Sequence, residues 1–333
     1  MWTDTPLLLR QAMRQAISET LNTHRPGNKP DIALIGSRRS GSTLLMQVLG
    51  HAPGLKSSDQ PFAPPTATAA QMRHLGWPAG GIFVAPDAAM RARLLRYMTD
   101  MREGRLHVQE PWRFWRGDFH WRSNRLLLKT TAASYLRPLL EEAGFMPILY
   151  FRHPVPQALS CARNKWGDKL DLFLRNRPLC EDLLSAELRL EVDRLQAEGS
   201  ELERYVLCWC LENMPLFPDL AAGMPSIFYE DMVLDPDGTL NRLAELCDIE
   251  PTPRMRAMFG NASNSVRGLS DSEGAAAIRA GDAQALVGRW REKVSPEDLA
   301  RAQMVLDLFP GCPYRTDAIR PVATAALEES FPA

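Results

Sequence analysis

Four short apolar runs constrain this chain more than any other feature of its sequence. They are Asp31–Gly36 (DIALIG), Arg125–Lys129 (RLLLK), Pro147–Arg152 (PILYFR) and Ser226–Glu230 (SIFYE), and each ends in or beside polar residues. All are continuously apolar rather than alternating, the pattern of strands covered on both faces, as in a parallel sheet. Helical patterns lie between them. Gly41–Gly50 follows the first run, Ser134–Ala143 precedes the third, and Pro156–Asn164 follows it. Long amphipathic stretches fill 179–214 and 238–247. This alternation predicts a three-layer α/β/α fold with a central parallel sheet. No repeat of 20–50 residues is present.

Charge and cysteine usage narrow the classes of function. Lys+Arg is 39 and Asp+Glu is 40, a net charge of −1. That balance argues against a nucleic-acid coat or a polybasic membrane binder, while leaving room for a local anion site. No apolar run approaches the roughly 20 residues that span a bilayer. Residues 5–22 interleave Leu8, Leu9, Met13, Ile17 and Leu21 with Arg10, Arg14 and Glu19, a helical spacing rather than a secretory signal. Cys161, Cys180, Cys208, Cys210, Cys247 and Cys312 form no C-x-x-C pair and sit among apolar neighbours. They read as buried reduced thiols, which points to the cytoplasm, with no metal box and no disulfide framework.

In open α/β sheets, ligands bind beyond the carboxyl ends of the strands. Here those ends carry Ser37-Arg38-Arg39-Ser40, Lys129, Arg152 and Tyr229-Glu230-Asp231. Basic clusters from three distant stretches are thus expected on one edge, where they suit an anion. The strongest local motif is Gly36-Ser37-Arg38-Arg39-Ser40-Gly41-Ser42-Thr43, directly after a predicted strand and opening a predicted helix. Such a loop aims backbone N–H groups and a helix N-terminus at phosphate oxygens. Its spacing is that of the P-loop, G-x-x-x-x-G-K-[ST], with Ser42 in place of the lysine. Without that lysine, transfer from ATP or GTP is disfavoured, and no aspartate pair for magnesium is evident. Two upstream arginines suit a shorter phosphate or sulfate group. A simple Gly/Ser helix cap is the plainer alternative, although capping needs neither arginine.

These residues resemble a family. RRSGST-LL after a strand is similar to the 5′-phosphosulfate loop of sulfotransferases that use PAPS (3′-phosphoadenosine 5′-phosphosulfate). Arg152-His153-Pro154-Val155-Pro156-Gln157-Ala158-Leu159-Ser160 resembles their 3′-phosphate motif, R-D-P-x-x-x-x-x-S. Ile227–Leu243 resembles the family's strand–Tyr-Glu-Asp-Leu–loop–helix segment. Gly288-Arg289-Trp290-Arg291 with Ser295-Pro296-Glu297-Asp298 resembles its late G-R-W segment, which in relatives follows a loop that folds over the nucleotide. The corresponding stretch here is 268–288, with Arg267 and Arg279. The likeness runs over roughly 30–310 and is closest to the protein-tyrosine and bacterial carbohydrate branches. It implies a P-loop-like α/β domain over 31–315, preceded by an amphipathic helix and linker over 1–30 and followed by a tail over 316–333.

By the same resemblance, Ser37, Arg38, Arg39, Ser40, Gly41, Ser42 and Thr43 hold the 5′ end of PAPS. Arg152 and Ser160 hold the 3′-phosphate, and Tyr229 and Arg289 make further nucleotide contacts. In-line sulfuryl transfer depends on positioning and charge stabilisation, with no metal required. Arg39 would sit at the leaving phosphosulfate, and Lys129 would neutralise charge developing on the bridging oxygen. Lys129 also reads as a plain strand-end lysine. Many relatives carry a glutamate about 21 residues beyond the loop arginine. Here that position is Gln60, and an amide cannot serve as a general base. Asp59, one residue earlier, is the preferred base, with His51, His107 and His120 as alternatives or Gln60 orienting the acceptor.

Residues 102–129 hold seven Lys/Arg against three Asp/Glu, together with Trp112, Trp115 and Trp121. Aromatic planes among arginines suit a glycan, a lipid headgroup or a small molecule, and also fit a partly buried aromatic cluster. Asp168–Glu203 reads as a surface helix pair or a homodimer contact. The expected function is therefore sulfuryl transfer from PAPS to a hydroxyl or amine acceptor, with no nucleic-acid partner and no transmembrane segment. The rivals are a non-catalytic PAPS- or phosphoadenosine-binding protein and, further off, a P-loop kinase.

Overall fold

The computed structural model describes residues 5–62, 75, 83–131, 133–259 and 280–322. Its strands are β1 (Thr23–His24), β2 (Asp31–Gly36), β3 (Leu55–Asp59), β4 (Arg122–Ser123), β5 (Arg125–Thr130), β6 (Phe145–Phe151) and β7 (Ser226–Phe228). Five of them form one sheet in the order β3-β5-β2-β6-β7, while β1 and β4 make a short parallel ribbon. β2 and β3 both pair with β5 in parallel, and β6 pairs in parallel with β7. The central parallel sheet expected from the four apolar runs is therefore present. Every residue of β2, β5 and β7 is buried, which is why these segments tolerate no alternation.

Three local differences from the sequence pattern have clear causes. β7 ends at Phe228, and Tyr229 and Glu230 open the helix Tyr229–Leu234 instead of finishing the strand. Glu230 and Asp231 in that first turn complement the positive end of the helix dipole. The stretch 179–214 is broken into helices Arg177–Leu183, Ala186–Glu198 and Glu201–Asn213. Ser185 caps the second, and Ser200 with Glu203 forms a capping box on the third. β3 has only one apolar residue and carries no periodic signal. It is buried because its polar groups find partners: Ser58 Oγ donates to the Val108 carbonyl at 2.6 Å, and Lys56 pairs with Glu110 at 2.8 Å.

The chain packs as two compact units, each drawn from separated stretches. One comprises Met1–Ile35, Ser42–Ile148 and Leu240–Met258; the other comprises Gly36–Gly41, Leu149–Thr239 and Phe259–Ala333. In the first unit, Ile32, Leu34, Leu126, Leu127 and Leu128 lie at the centre of the core with no exposure. In the second, the helix Glu201–Asn213 is almost wholly buried and packs on helices Pro154–Arg163 and Pro296–Asp307. All six cysteines are free thiols, five of them buried. Among the described residues, no helix is long and apolar enough to cross a membrane. Arg267, Arg279, most of the stretch 268–288 and the end of the tail from 323 lie outside the described residues.

The N-terminal helix Thr5–Leu21 is tied into the first unit by a buried polar cluster. Glu110 accepts from Ser18 Oγ at 2.7 Å, contacts His107 Nδ1 at 2.9 Å and pairs with Lys56 at 2.8 Å. Burial pushes the Glu110 carboxyl upward, but His107 and Lys56 outweigh it and hold the carboxyl below its ordinary value. Because the folded-state value is depressed, this contribution is complete above the unfolded value of 4.5 and is lost as pH falls through the lower folded value. Lys56→Met leaves the buried carboxylate without its cation and should cost about 3–5 kcal/mol, read from urea unfolding at pH 7. The cost should shrink when unfolding is repeated below pH 4.5.

Candidate functional site

The loop between β2 and the helix Ser42–Leu49 is held by glycines at its two ends. A Cβ on Gly36 would lie 2.2 Å from the Tyr150 carbonyl oxygen, so the backbone approach there requires glycine. Gly41 has φ of +84°, and a Cβ on it would meet the Tyr229 ring at 2.6 Å. Between them, Ser37 and Ser40 are buried and share a hydrogen bond of 2.9 Å. Ser42 opens the helix and is buried, while Thr43 is half-buried.

The two loop arginines point to different partners. Arg38 turns inward, with its Nε 3.1 Å from Glu212 and its Nη2 donating to the Asp168 carbonyl at 3.3 Å and to Cys208 Sγ at 3.4 Å. Burial disfavours its charge, but Glu212 overrides that and raises its pKa above the ordinary arginine value. Arg38 is thus committed to the protein interior, where the sequence pattern had placed it beside Arg39 as a second clamp. Gln157 Nε2 donates to the Arg38 carbonyl at 2.8 Å and fixes the loop backbone from the other side.

Arg39 adopts φ of +60°, a left-handed conformation that a non-glycine residue rarely takes and that gathers at functional sites. Its Nε donates to Ser160 Oγ at 3.0 Å, and its guanidinium lies 5.4 Å from the Trp166 ring centroid. Arg152 Nη1 donates to the Arg39 carbonyl at 3.0 Å, and the Arg152 guanidinium stacks on the Tyr229 ring at 4.2 Å. Gly41, Arg39, Arg152, Ser160 and Tyr229, drawn from three motifs, therefore meet within the second unit. Burial, followed by the charge of Arg152, lowers the Arg39 pKa. Among the described residues, neither arginine forms an ion pair with a carboxylate, and Arg152 Nε is buried with no hydrogen-bond partner. Two close guanidiniums without a carboxylate partner make this a candidate anion-binding locus.

The strand end behind this locus is locked by a second network. His153 stands at the motif's aspartate position and caps the helix Pro154–Arg163, its Nδ1 accepting from Val155 N at 3.2 Å. Its Nε2 donates to the Arg315 carbonyl at 3.1 Å, so the ring is neutral with both nitrogens engaged. Glu230 accepts from His153 N at 2.9 Å and from the Tyr314 hydroxyl at 2.7 Å. Trp290 packs on His153 with centroids 4.4 Å apart, and its neighbour Arg289 is half-buried in a short 3-10 turn.

In the first unit, parallel register sets Asp59 beside Lys129, and the two form an ion pair of 2.8 Å. The Asp59 side chain is 43% exposed, while that of Lys129 is buried. Gln60 has φ of +58°, and its side chain is consumed by Thr131: Nε2 donates to Oγ1 at 2.7 Å, and Oε1 accepts from the backbone N at 3.0 Å. The three histidines considered as bases have structural partners. His51 bonds the Gln47 carbonyl, His120 bonds the Gly50 carbonyl, and His107 bonds Glu110. Among the described residues, no group of three or more His, Cys, Asp or Glu is arranged to hold a metal ion.

The sequence profile of the sulfotransferase family matches residues 30–253, about two thirds of the chain. The chain belongs to the sulfotransferase family. Its fold is similar to a sulfotransferase domain from the Synechococcus PCC 7002 olefin synthase, at 17% identity over 85% of this chain and 95% of that one, with a TM-score of 0.41. It is similar to the sulfotransferase domain from the curacin biosynthetic pathway at 18% identity over 86% and 98%, with a TM-score of 0.43. Mouse sulfotransferase SULT7A1, solved in complex with PAP, is 14% identical over 88% and 86%, with a TM-score of 0.39. No curated protein sequence matches it.

Several features of this sulfotransferase-family site escaped sequence reasoning. Glu212 is one; its only signal is a single carboxylate directly after the apolar turn Cys208–Leu211 of a buried helix. Trp166 and Tyr314 lie outside every motif and become relevant only through packing. The buried neutral His153 also yields a pH dependence. Burial, aided by the charges of Arg291 and Arg152, lowers its pKa to about 3 against the Arg315 hydrogen bond. The unfolded ring protonates near 6.5 while the folded ring stays neutral, so stability falls as pH drops from 6.5 toward 3. Melting temperatures measured between pH 7 and pH 5 should decline, and His153→Asn should reduce that slope.

Proposed function

We propose that the chain transfers a sulfuryl group from PAPS to a hydroxyl or amine acceptor. The observation that carries this reading is the Arg39–Arg152 pair: two guanidiniums with no carboxylate counter-ion among the described residues, one with an unpartnered buried Nε. A nucleotide carrying a phosphosulfate and a 3′-phosphate supplies the anionic charge that such a pair lacks.

When bound, PAPS supplies a sulfuryl group already joined to a phosphate leaving group. The residues of the chain do the rest. Arg152, oriented by Tyr229 and by the Arg39 carbonyl, holds the 3′-phosphate together with Ser160. Ser37, Ser40, Gly41, Ser42 and Thr43 present hydroxyls and the start of a helix to the 5′ end, where Arg39 adds charge. The Arg39–Ser160 hydrogen bond lets one arginine sense both ends of the donor. Arg38 contributes by fixing the loop through Glu212, and Arg289 is a further nucleotide contact. Lys129 holds Asp59 in place through their 2.8 Å ion pair, and Asp59 accepts the acceptor's proton. The acceptor is a glycan, a lipid headgroup or a small molecule.

Gln60 favours a second reading, that of a PAPS-binding protein without catalysis, because both of its amide atoms are spent on Thr131. Calorimetry with 3′-phosphoadenosine 5′-phosphate and with ADP tests the shared part of both readings. Binding should favour the 3′-phosphorylated nucleotide by about tenfold or more, the worth of one charge-assisted contact, and Arg152→Ala should remove the preference. A preference for ADP would overturn both. Labelled PAPS incubated with glycan, lipid and small-molecule fractions then separates the two readings, since a sulfated product excludes the non-catalytic one. In that assay Asp59→Asn should lower turnover by about 10²–10⁴-fold with nucleotide binding retained, and an unchanged rate would remove Asp59 as the base.

A further inference from the structure

We propose that the first unit carries a docking surface for anionic membrane lipid, built from a ladder of aromatic rings, three of them exposed, edged by arginines. The ladder runs through five rings in the segment 112–121. Trp112 meets Trp115 with centroids 5.8 Å apart, Trp115 meets Phe114 at 5.0 Å, Phe114 meets Trp121 at 6.1 Å, and Trp121 meets Phe119 at 5.4 Å. A connected cluster of this kind is normally interior, yet Trp115 is 65% exposed, Trp121 54% and Phe114 46%. Scattered surface aromatics need no explanation, whereas a contiguous exposed apolar patch marks an interaction site.

The N-terminal helix reaches the ladder through Arg14. Arg14 and Arg113 both lie over Trp112, at 5.4 and 5.2 Å. The helix that carries Arg14 also exposes Leu9 at 71% and Met13 at 50%, one turn apart. None of these residues is in the cluster of Arg39, Arg152, Ser160 and Tyr229.

Charge selects the occupant. Between Pro111 and Arg122, Arg113, Arg116 and Arg122 stand against Asp118 alone, in a chain whose net charge is −1. Tryptophan favours the headgroup level of a bilayer, where its ring is apolar and its N–H stays wet, and arginine pairs there with anionic headgroups. Three of the ring contacts are close to perpendicular, at 85°, 86° and 82°. The ladder therefore offers no shared flat face for stacking a sugar, and its protruding edges suit insertion among lipid headgroups. The exposed Leu9 and Met13, on the helix whose Arg14 covers Trp112, add apolar groups suited to an interfacial anchor, which lies on a membrane without spanning it.

The test is cosedimentation of the full chain with vesicles of phosphatidylcholine alone and of phosphatidylcholine with about one-third phosphatidylserine. The expected result is binding to the anionic vesicles with a blue shift of tryptophan emission, and little binding to the neutral ones. The pair Trp115→Ser and Trp121→Ser, and separately the pair Arg113→Glu and Arg116→Glu, should each weaken that binding about tenfold or more. The charge-reversed pair keeps every ring in place, so it tests the surface even where ring removal lowers stability. Equal binding to both vesicle types, or unchanged binding by both paired variants, would overturn the proposal. So would a concentration-dependent dimer that the ring variant abolishes, or binding to a soluble glycan in place of vesicles.

Discussion

The second unit is organised around the buried ion pair of Arg38 and Glu212. A guanidinium in a water-poor interior is tolerable only beside a counter-charge, and losing one partner of such a pair typically costs about 3–5 kcal/mol. Glu212 is placed by a helix with a Ser200–Glu203 capping box and with nearly every residue from Tyr205 onward buried. Once Arg38 is drawn toward it, the next residue must leave in another direction, and Arg39 does so with φ of +60°. Gly41 then brings the loop against Tyr229, under the stacked guanidinium of Arg152. One arginine is neutralised inside, and two remain uncompensated. That division concentrates positive charge at one place in a near-neutral chain.

The first unit uses buried charge differently. Lys56, His107 and Ser18 converge on Glu110 at 2.7–2.9 Å, so each positive group here faces a carboxylate. The cluster joins β3, the 107–110 segment and the N-terminal helix, so polar contacts do work that apolar residues do elsewhere in the core. Asp59 and Lys129 form the more open pair, set side by side by strand register. The difference in exposure between the two pairs separates a structural carboxylate from one that remains accessible to solvent.

Much of the sheet was legible in the sequence because parallel strands buried on both faces read as unbroken apolar runs. β2, β5, β6 and β7 carry that signature, and the glycine-bounded loop carries its own through the residues only a tight turn requires. β3 was not legible: Leu-Lys-Ser-Ser-Asp has no apolar periodicity, and its burial depends on Glu110 and Val108, some fifty residues away. β7 ends two residues before the run Ser226–Glu230 does, because Tyr229 continues the apolar pattern of a strand yet opens a helix. The helical state of Tyr229 and Glu230 follows from contacts with Gly41, His153 and Tyr314.

The sequence by itself determined the fold class, the family motifs and the set of basic residues around a phosphate-type loop. These are properties of local pattern and of spacing along the chain. Tertiary structure alone decided which arginine is paired with a buried carboxylate, which are not, and which partners Asp59, Gln60 and the histidines take. Those outcomes depend on distances between residues as remote as Arg38 and Glu212 or Gln60 and Thr131. Electrostatic and hydrogen-bond energies fall off within a few ångströms, so they are settled by which groups meet in space and leave no periodic trace in the chain.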